Sequence, residues 1–252
     1  MQPSSRSPTL LHQIAIAALA FIGACVSHEV LGHGGTCLAQ GARITLLTSV
    51  YFHCEGAGVG VDLAGPLANL FVGLGGYLLL ERRPWSSNER YFLVLTVAFN
   101  LFWLAGCMLV SAVSNKSDFA YLLELLSLKP YWLGRVALGT IGIFVYWFGM
   151  RATQKHVAEV ASLSVAYAVA GVVSCLAALF FVGPVIPALR EAALESFGAA
   201  IGLVLLSGAQ LQRLSPDRTS ISHGYGWLLV SVLALLAFIL LLGRGIVVVG
   251  NV

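Results

Sequence analysis

Charge is what this chain has least of. Only 10% of its 252 residues are Asp, Glu, Lys or Arg, whereas a soluble domain carries about 25%. The net charge of +3 is scattered and not gathered into runs. That excludes the basic stripe a nucleic-acid partner would need, so none is expected. No Cys-x-x-C pair occurs among the five cysteines, which removes the usual redox and zinc-ribbon spacings. No internal repeat or low-complexity tract is found. Gly56-x-Gly58-x-Gly60 runs into an apolar stretch without a Lys-Ser or Lys-Thr, so it is not a phosphate-cradling loop. The N-terminal apolar run has no small-x-small site at its polar end, and it reads as a retained span, not a cleaved leader.

Apolar residues fill the space that charge leaves. They make up 58% of the chain, with a mean hydropathy of +0.88. The runs are long and continuous, unlike the alternating ten-residue segments of an outer-membrane barrel. The expected fold is an all-α polytopic helix bundle in a lipid bilayer, as one integral membrane domain over 1–252. Seven spans can be drawn near 10–33, 61–80, 91–113, 131–150, 160–182, 190–211 and 226–243, each about the length that crosses a bilayer. The sixth opens among Arg190, Glu191 and Glu195, which makes six an alternative count. Trp85 with Tyr91, Tyr131 with Trp132, Tyr146 with Trp147 and Tyr225 with Trp227 fall near span ends, as interfacial belts do. The cell membrane is the expected location.

The loop at 34–60 differs from the rest. Arg43 to Cys54 is rich in β-branched and aromatic residues, the composition of one strand or a short hairpin. Such an edge beside a membrane site accepts an extended peptide by strand addition; an apolar loop lying on the headgroups is the alternative. Cys37 and Cys54 flank this loop and can pair if it faces an oxidising compartment. Cys25, Cys107 and Cys175 fall inside spans, where cysteine packs as a small hydrophobe.

The chemistry concentrates in Ser27-His28-Glu29-Val30-Leu31-Gly32-His33. Ionisable groups at the end of a membrane span are costly and functional by default, and neutral imidazole is the commonest metal ligand. The spacing poses a geometric condition. On a regular helix, five residues at 100° each leave His33 about 140° around from His28. A π-bulge, or unwinding at Gly32, is required to bring them to one face. Two further stretches carry polar groups into apolar surroundings. Val61-Asp62-Leu63-Ala64-Gly65-Pro66-Leu67-Ala68-Asn69 opens the second span, where Pro frees backbone groups for other partners. Ser117-Asp118-Phe119 follows the third span, which contains Asn100. Asp118 either bends back toward the first helix or, with Ser117, caps the helix that follows. The second half holds little chemistry: His156 and His223 read as loop residues at the surface.

Taken together, His28-Glu29 with His33, Gly65-Pro66-Leu67-Ala68-Asn69 and Asp118 resemble the site-2 protease (M50) family of intramembrane zinc metalloproteases. The likeness covers about residues 20–125, so 10–125 would be the protease-like core and 131–252 additional spans. The family's His-Glu-x-x-His is here one residue longer, and its later Leu-Asp-Gly is here Ser117-Asp118-Phe119. The resemblance implies Zn2+ held by His28, His33 and Asp118, with Asp62, His53 or Glu55 as alternatives for the third ligand. It implies Glu29 as general base and Asn69, or else Asn100 or Asn115, positioning substrate or oxyanion. The implied function is hydrolysis of peptide bonds in membrane-anchored proteins. The alternatives are a metal-binding membrane protein without hydrolytic activity, such as a transporter or an inactive relative, and a multi-pass lipid amidase.

Overall fold

The computed structural model describes residues 10–58, 60–82, 84–126, 130–156, 162–212 and 225–247. The bundle is all-α apart from one small sheet. The first helix, α1, runs from Leu10 to Ala39 and contains a π-helical segment at Val26–Gly34. The strands β1 (Arg43–Leu47) and β2 (Phe52–Glu55) follow. Then come α2 (Gly60–Arg82), α3 (Ser87–Val113), α4 (Asp118–Leu125), α5 (Tyr131–Gln154) and α6 (Leu163–Leu179). A seventh helix, α7 (Val185–Ala193), passes into a π-turn at Leu194–Gly198, and α8 (Ile201–Gln212) follows. The last elements are α9 (Tyr225–Gly243) and β3 (Ile246–Val247).

Five of these helices, α1, α2, α3, α5 and α9, are long and apolar enough to cross a membrane, which makes the chain an integral membrane protein. Two of the seven expected spans come out differently. The span at 160–182 is the 17-residue α6. The one at 190–211 begins earlier, at Val185, and breaks at Ala200 between the π-turn and α8. The polar cluster Arg190, Glu191 and Glu195 lies within it, so no uninterrupted apolar run of spanning length forms there.

Burial orders the bundle. In the most apolar stretch of α3, 72% of residues are buried, against 22% in α5. So α3 is the central post, and α5 turns most of its surface outward. A capping box starts α3: Ser86 accepts from the Glu89 backbone N–H and Glu89 reaches back to Ser86, which satisfies two donors a helix start leaves open. The aromatic belts are only partly interfacial. Trp132, Trp147 and Tyr225 are exposed, but Tyr91 is fully buried and donates to Ser162 O at 2.9 Å. Tyr146 turns inward as well, donating to Ala199 O and accepting from Gly202 N–H. His156 is not a surface residue: it is buried and its Nε2 lies 3.3 Å from Glu81 Oε1. His223 lies outside the described residues.

The loop after α1 is a hairpin. β1 pairs antiparallel with β2, with a bulge between Ile44 and Leu46. β3 adds to the other side of β1, so the order is β2-β1-β3 and β2 is an edge. Cys37 and Cys54 are joined by a disulfide that ties the end of α1 to β2. Cys25, Cys107 and Cys175 are free, the first two buried.

Candidate metal centre

The π-helical segment resolves the spacing problem. An i→i+5 turn holds one residue more than an α-turn, so His28 and His33 come to the same face. Their Nε2 atoms are 3.2 Å apart, and the ring centroids 4.8 Å apart at 82°. Asp118 reaches both from α4: Oδ2 is 3.4 Å from His28 Nε2 and Oδ1 is 3.6 Å from His33 Nε2. The two rings are buried, and the Asp118 side chain keeps 21% exposure. Glu29 is buried beside them and interacts electrostatically with His28 and Asp118.

Close helix packing makes this possible. A Cβ on Gly32 would stand 2.5 Å from Gly65 Cα and 2.6 Å from Ala64 O, so the π-segment and α2 touch backbone to backbone. Small residues permit such an approach in membranes. A Cβ on Gly65 would collide with His33 Nε2 and stand 2.8 Å from His28 Nε2. The space facing the two imidazole nitrogens therefore exists because residue 65 has no side chain.

Hydrogen bonds fix which nitrogen of each ring faces the centre. His33 Nδ1 lies 2.6 Å from Val61 O, in the first turn of α2. A carbonyl only accepts, so Nδ1 carries the proton. The tautomer of His28 follows from a chain of amides. Asn100 Nδ2 donates to Thr96 O, so Asn100 Oδ1 faces Asn69. Asn69 Nδ2 donates to that oxygen at 2.7 Å and to Ala24 O at 3.3 Å. Asn69 Oδ1 is left for His28 Nδ1, 2.5 Å away. Both Nδ1 atoms are donors, so with neutral rings both Nε2 lone pairs would point at each other and at a carboxylate. Two lone pairs at 3.2 Å repel unless a proton or a cation lies between them. A divalent transition-metal ion fits a donor set of two imidazoles and one carboxylate.

Asp118 is aimed by a strained step. Ser117, at the N-cap position of α4, has φ +73° and ψ 168°, a conformation costing a non-glycine residue about 1–3 kcal/mol. Ser117 makes no side-chain cap bond, and Asp118 turns back toward the histidines.

The candidates drawn from the sequence thus separate. His28, Glu29, His33, Asn69 and Asp118 come together. Asn69 commits both ends of its amide to the protein, so its place is behind His28, orienting the ring, and not free to meet an oxyanion. Among the alternatives, Glu55 is paired with Arg43 at 2.6 Å, His53 is exposed on β2, and Asn115 accepts from Arg135. Asp62 interacts electrostatically with Asp118 but makes no ion pair with either histidine among the described residues.

Residues not anticipated also line the centre. Trp103 stacks on His28 with centroids 5.3 Å apart, and Phe52 of β2 stacks on His33 at the same separation. Cys107 lies beside His28 and Asp118, their ligand atoms all within 4.8 Å of one another. Asn100, Trp103 and Cys107 follow an i, i+3, i+7 pattern, one face of α3, and that pattern was the available signal. Glu195, from the π-turn after α7, interacts electrostatically with Glu29, His28 and Asp118, and its Oε2 is buried without a hydrogen-bond partner. Comparisons with protein-family models, with curated proteins and with solved structures each give no match.

Proposed function

We propose that this chain is an intramembrane zinc metalloprotease that hydrolyses peptide bonds of membrane-anchored proteins. The observation that carries the reading is the convergence of His28 and His33 across a π-turn, with Asp118 within 3.4 and 3.6 Å of them. The condition set by the five-residue spacing is met, which supports a shared metal between the two histidines. His28, His33 and Asp118 would hold the ion. When bound, zinc supplies a Lewis acid that polarises the scissile carbonyl and acidifies water to a pKa near 7.

The protein's own groups do the rest. Glu29, buried next to His28, takes the proton of the attacking water and returns it to the leaving amine. Asn69 and Val61 O lock the two imidazoles in the ligating tautomer. A peptide bond inside a bilayer is protected by helical hydrogen bonds, so the substrate must be held extended. The β2 edge, anchored by the disulfide and touching His33 through Phe52, suits capture of such a strand by main-chain hydrogen bonds.

The test uses purified full-length protein in lipid, zinc analysis and a membrane-anchored peptide reporter. One zinc per chain is expected. Glu29→Gln should keep the zinc and lower cleavage by about 10²–10⁴-fold. Absence of zinc, or cleavage untouched by Glu29→Gln, would overturn the reading. Metal-dependent transport or partner binding that survives Glu29→Gln but not His28→Ala would assign the chain to the non-hydrolytic alternative.

A further inference from the structure

The reading above leaves Cys107 unused, although no other sulfur among the described residues stands with the candidate ligands. It is buried on the central post α3. Its sulfur, a nitrogen of His28 and an oxygen of Asp118 form a group with all separations under 4.8 Å. The three come from three separate elements: the π-segment, α3 and the start of α4. The Cys107 thiol hydrogen-bonds Asp118, so it is turned to the carboxylate and the imidazole and is not packed only as a small hydrophobe. The helix supports the same placement. Asn100 joins the amide chain behind His28, Trp103 stacks on the ring, and Cys107 stands one turn further along that face.

We propose that Cys107 is the fourth protein donor to the ion held by His28, His33 and Asp118, closing the site in its resting state. This rests on the reading that the centre holds a metal. A donor set of two nitrogens, one oxygen and one sulfur favours zinc over hard ions such as magnesium, because thiolate is a soft ligand. Four protein donors make a closed zinc site, whereas hydrolysis requires an open position. On closing, a metal–sulfur bond replaces a bond to water, and the thiol proton is released to solvent. On opening, that bond breaks, the sulfur regains a proton and water returns. Cys107 would thereby hold the centre shut until substrate displaces the thiolate from the ion.

Cobalt(II) reports the bond directly. Full-length protein loaded with one equivalent of cobalt should show a sulfur-to-cobalt charge-transfer band in the near ultraviolet. Cys107→Ser should still bind one cobalt, about tenfold or more weakly, and lose the band. Cys25→Ser and Cys175→Ser, which change the other free thiols, should keep it. One bound cobalt without the band in the unaltered protein, or a band that survives Cys107→Ser, would overturn the proposal and leave the metal centre standing. No cobalt binding by the unaltered protein would remove both. The unaltered spectrum decides the matter even if Cys107→Ser fails to fold.

Discussion

The π-segment of α1 and the π-turn after α7 use one backbone device in different settings. At Val26–Gly34 the extra residue redirects two imidazoles onto one face, and the glycines around it let α2 approach to backbone contact. At Leu194–Gly198 the sequence is Leu-Glu-Ser-Phe-Gly, and a Cβ added at Gly198 would meet nothing within 4 Å. A third π-segment, Phe238–Gly243, is wholly apolar. A bulge therefore does not by itself make a site: the one after α7 contributes Glu195 as an electrostatic neighbour to the centre that the first one forms. It shifts a face, and chemistry results where the shifted residues meet partners held by other helices.

The comparison breaks most easily at glycine. Gly65→Ala should lower metal affinity at least about a hundredfold, about 3 kcal/mol, because its methyl group occupies the space facing both Nε2 atoms. Gly198→Ala, in the π-turn after α7, should leave affinity within about twofold. Equal effects of the two, measured by metal titration of the purified variants, would mean that the close approach of α2 does not matter to the centre. A smaller change tests the amide chain. Asn69→Leu removes the acceptor that orients His28 and should weaken metal binding about tenfold to a hundredfold, with the helix content of the bundle retained by circular dichroism. An unchanged affinity would show that ring stacking on Trp103 alone holds His28. The smallest effect concerns the step before Asp118. Ser117→Gly relieves the positive φ and should raise stability by about 1 kcal/mol, read as a higher unfolding midpoint in detergent. A fall in stability would mean that the serine side chain contributes more than its backbone strain costs.

Much of the architecture was legible because hydrophobicity is a local property of the chain. Long apolar runs announce membrane helices whatever they pack against, and five of the seven drawn spans are helices of crossing length. The hairpin was legible from its β-branched composition. The break in the stretch from Val185 to Gln212 and the inward turn of Tyr91 were not, because composition does not say which face of a helix meets protein and which meets lipid. In the centre, His28, Glu29 and His33 stood out as costly polar groups in an apolar setting. Cys107 and Trp103 did not, since both are ordinary in a membrane span until a partner is known.

The chain alone determined that this is a helical membrane protein with two imidazoles and a carboxylate at the end of its first span, because the expense of burying such groups is a property of the groups themselves. Only the tertiary structure decided whether five residues of separation allow them to meet, which aspartate joins them, and that Asn69 faces His28. Those outcomes depend on a one-residue change in helical winding and on the approach of α2 and α4, which are set by contacts between segments far apart in sequence.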